Sequence, residues 1–236
     1  EESNKVNSAL QLASIYKKIY DGTLKVKTKS LIDNALDKSL DYYKLAAEHD
    51  DIYGLYNAGC YYYNGIGNIP INYILASKYF KKIIDIDPPH DKERLTAEFL
   101  LGKIYVYGGG GILKDEKKAI SHFTKSSYDL GMIYEKEKEY IKAFDCFKMY
   151  TIYTDHKTDS DILYMYGKLF YEGLLVDKIY SNSEFCFSCI IDIWNESHNK
   201  DLKDMYLKSM YLLSNIYYTG GYGVLVNIDK AFELLF

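Results

Sequence analysis

Cys186 and Cys189 stand in the run CFSC, the CxxC spacing used by zinc sites and by dithiol redox enzymes. A tetrahedral zinc needs two further ligands, and the sequence offers neither a second CxxC nor a matching histidine pair. Redox CxxC motifs open a helix with small or turn residues between the thiols, whereas this pair lies inside an aromatic helical run. Cys186 is therefore read as a buried core residue. The glycine run Gly108–Gly111 invites a phosphate. It lacks the Gly-Lys-Ser/Thr of a P-loop, and no strand precedes it as in a Rossmann turn, so it is read as a chain reversal. The histidines, His49, His90, His122, His156 and His198, are scattered; none falls in HExxH, and all but His122 lie at helix ends or in linkers. Carboxylates, including those of Glu135 to Glu139 in EKEKE, are spread over solvated faces. No Ser/His/Asp or Cys/His constellation stands out. The expectation is a chain that is not an enzyme, with no catalytic residue, metal or cofactor. Asn195-Glu196-Ser197 is a glycosylation triplet of the kind a chain this long holds by chance.

The elements that would position these residues are helical hairpins. The run from Phe99 to Ser127 holds Gly102 in mid-helix, where glycine costs about 1 kcal/mol relative to alanine. Such a cost is tolerable where a second helix comes very close. Ala119, 17 residues on (119 − 102), is the expected partner, with Phe123 one turn further along the same face. Gly108 to Gly111 reverse the chain between the two helices. The same outline recurs as a small residue followed three positions later by an aromatic: Ala13/Tyr16, Gly59/Tyr62, Gly102/Tyr105, Gly131/Tyr134, Gly167/Phe170 and Ser214/Tyr217. A second small residue follows in each unit: Ser39, Ala76, Ala119, Ala143, Ser183 and Ala231. A lone hairpin buries one face only, so such units are expected to stack.

At Asn57 to Gly67 (NAGCYYYNGIG), Phe99 to Ala119 (FLLGKIYVYGGGGILKDEKKA) and Ser39 to Asp50 (SLDYYKLAAEHD), the chain resembles the Sel1-like repeats, relatives of the tetratricopeptide repeats. The resemblance covers nearly the whole chain. It weakens at the Gly131 unit, with its short EKEKEY turn, and at Val176 to Asn182, where small residues before the second helix are missing. It implies an all-α, right-handed α-solenoid of about six antiparallel helix pairs, here a single array over residues 1–236. The units expected are about 8–50, 53–86, 95–127, 128–151, 161–194 and 206–236, the last one truncated. Two polar breaks, DIDPPHDKER and TIYTDHKTDS, are expected to form hinges or lateral bends in the array.

Composition agrees with a packed helical chain. Hydrophobic residues make up 48% of 236, which excludes disorder, and the three prolines suit helices. A net charge of −4 without a basic stripe argues against nucleic acid as a partner. No run nears 18 apolar residues, so no direct membrane insertion is expected, and EESNKVNSA is no signal peptide. A first residue other than Met and an end at AFELLF suggest a fragment or processed form, in which a removed signal would instead place the chain in the secretory pathway or a bacterial envelope. The four cysteines do not recur once per unit, which favours a reducing, cytoplasmic compartment over a disulfide framework.

The resemblance implies a scaffold or adaptor that binds a peptide or partner protein on a concave face lined by the first helices. Three residues before each first small residue stand Tyr56, Phe99, Tyr128, Tyr164 and Tyr211 (Leu10 in the first unit), and four residues after it Tyr63, Tyr171 and Tyr218. With Lys103 and Lys168 beside the glycines, they make a candidate binding ladder. The competing reading has these tyrosines packing between neighbouring units. The family also offers regulatory subunits, such as chitin synthase activators and endoplasmic-reticulum quality-control adaptors. Hydrolase activity is attributed to some cysteine-rich members and would need a polar cluster that this sequence does not show.

Overall fold

A computed structural model describes residues 2–26, 30, 34–86, 91–154, 159–173 and 179–236. The prolines of the first polar break, His90, His156 and residues 176–178 of the Val176 to Asn182 stretch lie outside them. The described residues form eleven α-helices and no strand: α1 (Glu2–Tyr20), α2 (Ala35–Glu48), α3 (Ile52–Asn64), α4 (Tyr73–Ile86), α5 (Lys92–Tyr107), α6 (Glu116–Lys136), α7 (Tyr140–Tyr153), α8 (Ser160–Glu172), α9 (Tyr180–Ser197), α10 (Lys203–Thr219) and α11 (Ile228–Glu233). They fall into two compact units, Glu1–Asp129 and Leu130–Phe236, the division lying within α6. That helix runs unbroken through Ser127 and Tyr128, where one hairpin was expected to give way to the next. Only Gly131 weakens the run, and no proline interrupts it, so one helix serves both outlines.

Helix ends are set by a device that recurs at one spacing. Gly65, Gly108, Gly173 and Gly220 each lie six residues after a first small residue (65 − 59, 108 − 102, 173 − 167, 220 − 214). All four have positive φ, between 61° and 69°, which stops the helix without Cβ strain. The chain then turns back, and the N–H of the next N-cap residue donates to the carbonyl of the first-helix aromatic. These bonds are Asn72 to Tyr62 at 2.7 Å, Asp115 to Tyr105 at 3.0 Å and Asn227 to Tyr217 at 2.8 Å. The same three side chains accept from the N–H groups of Leu75, Lys118 and Lys230, each at 3.0 Å. At Gly108–Gly111 all four glycines have positive φ, and Gly109 pairs with Ile112 in a short bridge, which makes this run the turn that was expected. An equivalent turn at Gly220–Gly223 pairs Gly221 with Val224.

Close approach of the two helices of a pair rests on a glycine against a phenylalanine ring. A Cβ at Gly59 would stand 2.5 Å from Phe80, one at Gly102 2.6 Å from Phe123, one at Gly131 2.6 Å from Phe147 and one at Gly167 2.5 Å from Phe187. Those four rings are fully buried, and each contributes about 1.5–3 kcal/mol of transfer free energy. The nearest neighbours of Gly102 are thus atoms of Phe123, while Ala119 is buried one turn earlier. In the first unit Ser39 takes the small position of the second helix. Its hydroxyl donates to the Ala13 carbonyl at 2.9 Å and accepts from the Tyr61 hydroxyl at 2.9 Å.

Candidate functional site

Within Glu1–Asp129, the first helices α3 and α5 carry Tyr56, Tyr63, Phe99 and Lys103 of the expected ladder. Tyr56 and Tyr63 lie seven residues apart, two helical turns, so they share one stripe and both are half-buried. The Tyr63 ring leans on Tyr73 at 5.6 Å and on Phe80 at 6.4 Å. Phe99 is only 5% exposed, packed on Phe123 at 5.5 Å, and Lys103 lies over its ring at 5.5 Å. Tyr128, in α6, is half-buried.

Within Leu130–Phe236, α8 carries Tyr164, Lys168 and Tyr171, and α10 carries Tyr211 and Tyr218. The α8 members are half-buried: Tyr164 rests on Phe187 at 6.1 Å and Tyr171 stacks on Tyr180 at 5.5 Å. Burial raises the Tyr164 hydroxyl above its ordinary pKa. Tyr211 and Tyr218 stand 59% and 65% exposed. The structure thus places the ladder residues on first helices, Tyr128 on α6, which is also the second helix of the preceding hairpin, and grades them from core to open surface.

A second recurring contact joins the partner helices. In the first unit the residue three after the first small position stacks on the residue three after the second. Tyr16 lies over Tyr42 at 5.8 Å, Tyr62 over Tyr79 at 6.0 Å and Tyr105 over His122 at 5.6 Å, with planes within 14°. His122 also meets the carboxylate of Glu98, whose side chain is 4% exposed. In the second unit that register position holds Cys146, Cys186 and Leu234. Cys186 lies in the core with Phe187, Ile190 and Leu213, and burial pushes its thiol up to about 12. Burial likewise pushes the Cys60 thiol up to about 11. All four cysteines are free thiols, and among the described residues no group of three or more His, Cys, Asp or Glu is arranged to hold a metal.

Sequence reading missed the Glu98–His122 pair and the Gly220–Gly223 turn. The turn could have been found, because TGGYGV follows Ser214 as YGGGGI follows Gly102. The pair spans 24 residues and carries no local signature.

The Sel1 repeat family model matches residues 33–51, 52–85, 95–129 and 207–235. Among solved structures, a protective antigen of uropathogenic Escherichia coli strains displaying an SLR fold is 17% identical, with a TM-score of 0.43; the alignment covers 94% of this chain and 44% of that one. A Sel1 repeat protein from Oxalobacter formigenes is 19% identical, with a TM-score of 0.43, over 100% of this chain and 86% of that one. Among curated proteins none is a significant sequence match. Sel1 repeats generally serve as non-catalytic scaffolds for protein–protein interaction. No helix among the described residues is long and apolar enough to cross a membrane.

Proposed function

We propose that this chain of Sel1 repeats is a non-enzymatic scaffold that holds a peptide or partner protein on its first-helix faces. The observation that carries the reading is the pair Tyr211 and Tyr218 on α10, 59% and 65% exposed. Their helix buries Leu213, Ser214, Ile216 and Tyr217 on its other side, which fixes it in the unit and orients the two rings. Tyrosine offers rigid apolar area with a polar tip at little entropic cost, the property that makes it frequent among binding hot spots. In α8, Tyr164 and Tyr171 repeat the spacing with part of each ring covered, and in α3 Tyr56 and Tyr63 do the same. Lys168 stands between the α8 pair in register and supplies a cationic contact. The hairpins act together as one array over 1–236 in this reading.

The test begins with peptides selected on the full chain from a random-peptide display library. Replacing Tyr211 and Tyr218 together by alanine is expected to weaken the selected peptides by about tenfold or more, since hot-spot truncation costs about 2 kcal/mol or more. Far-UV circular dichroism should stay helical, because neither ring belongs to the core. Full-strength binding by that variant would move the site elsewhere.

A further inference from the structure

Between the second helices α2 and α4 lies a cavity of about 190 Å³. Its floor is apolar, formed by Ala47, Leu55 and Leu75, and Tyr79 makes one wall. Lys44, Lys78 and Lys82 stand around its mouth, together with the carboxylate of Glu48. Lys82 is held in place, donating to the Ala47 carbonyl at 3.3 Å and pairing with Asp50 at 2.5 Å. Lys44 lies 3.7 Å from Asp41. The Asp41 and Asp50 side chains are 67% and 61% exposed. Exposed surface pairs of that kind are weak, so an incoming carboxylate can take their place. Lys78 pairs with no carboxylate among the described residues, and α4 carries Lys78, Lys81 and Lys82 against Asp85 alone.

The same groove recurs by register with other contents. Lys44, Ala47 and Glu48 follow Ser39 by 5, 8 and 9 residues, as Ser188, Ile191 and Asp192 follow Ser183. Lys78 and Tyr79 follow Ala76 by 2 and 3, as Glu233 and Leu234 follow Ala231. The groove between α9 and α11 therefore carries Asp192 and Glu233 at its mouth, while Lys230 is drawn over the Tyr217 ring at 5.0 Å. Between α4 and α6 the chain's own Lys81 and Lys118 lie over the Tyr105 ring, at 5.8 Å and 5.2 Å. The repeat builds the groove, and side-chain choice sets its sign. Between α2 and α4 the groove combines an apolar floor with a lysine-rich mouth.

We propose that the α2/α4 groove docks a short acidic segment of a partner protein that carries one large apolar side chain. At about 190 Å³ the cavity is smaller than the roughly 300–1,000 Å³ of small-molecule pockets, a size that suits one inserted side chain. The floor takes that side chain, and the lysines take the carboxylates on either side of it. A nucleic-acid backbone would use the lysines and leave the floor empty. This surface belongs to second helices, so the proposal stands independently of the first-helix reading.

The test uses fluorescence polarisation with the full chain and a fluorescein-labelled peptide in which a central leucine is flanked by aspartates. Binding should weaken about tenfold or more in K78E/K82E, and in the milder Lys78→Ala it should weaken in the same direction with circular dichroism unchanged. It should also fall as salt rises, and fall when the peptide leucine becomes serine. D192A/E233A, which removes the acid from the equivalent groove without adding lysine, should leave it unchanged. The proposal is overturned if the serine peptide or a lysine-flanked peptide binds equally well, if the lysine variants bind normally, or if oligouridylate displaces the peptide at lower concentration.

Discussion

Gly102 and Phe123 show at the smallest scale why the hairpins close. With a would-be Cβ 2.6 Å from the ring, any side chain at Gly102 must push Phe123 out of a site where it is fully buried. Gly102→Leu is expected to lower stability by about 1–3 kcal/mol or more through overpacking. Thermal unfolding monitored by circular dichroism checks this, and an unchanged midpoint would refute the contact. Glu98 poses the opposite problem, a buried carboxylate whose described partner is His122. Glu98→Leu leaves the imidazole without that partner and should cost about 1–3 kcal/mol. The thiols give a chemical check. Burial that pushes the Cys186 thiol up to about 12 keeps it protonated at pH 8, and the thiol form is a poor nucleophile. Cys186 should therefore resist alkylation in the folded chain and react on unfolding, as mass spectrometry of trapped peptides would show.

At the scale of the element, one loop device is repeated with one member altered. Asn72, Asp115 and Asn227 cap their helices through the side chain, but Ile179, in the matching place before α9, makes no side-chain cap bond. Its N–H still reaches the Phe170 carbonyl, at 3.3 Å. Asn227→Ala should cost about 1 kcal/mol, and Ile179→Asn should recover a similar amount at α9, read as shifts in denaturant midpoint. Asp115 adds a pH dependence. Hydrogen bonds from the Lys118 backbone N–H and side chain hold its carboxyl below the ordinary carboxylate value. Its stabilising contribution is then complete above the unfolded value near 4 and is lost as pH falls through the lower folded value. Asp115→Asn keeps the cap acceptor without the charge, so its acid unfolding curve should be flatter in that window.

At the scale of the molecule, stability is shared locally, because each helix pair packs on its neighbours. Phe80 shares a core with Ala47, Leu55, Ala97, Leu101 and Ile104, which belong to α2, α3 and α5, while Ala13 of α1 joins a different cluster. Phe80→Ala should cost about 3–5 kcal/mol. Hydrogen exchange should quicken in α3, α4 and α5 more than in α1, the pattern of a repeat fold whose units contact only neighbours. Uniform loss of protection from α1 to α5 would contradict it. Function divides at this scale too: first-helix tyrosines carry the proposed peptide contacts, and grooves between second helices take their sign from residues such as Lys78 or Glu233.

The helical hairpins, their glycine stops and the small-residue register were all legible in the sequence, because each depends on spacings of a few residues that the 3.6-residue period converts directly into faces. The burial of Cys186 followed from the same register. What the sequence could not rank was exposure along the ladder, where Phe99 is 5% and Tyr211 59% exposed at the same position of their units. That difference is made by which other helices cover the ring. The continuity of α6 through Ser127 and the meeting of Glu98 with His122 were likewise decided in three dimensions. Local periodicity sets which face a residue occupies; only packing between segments distant in the chain sets what that face meets.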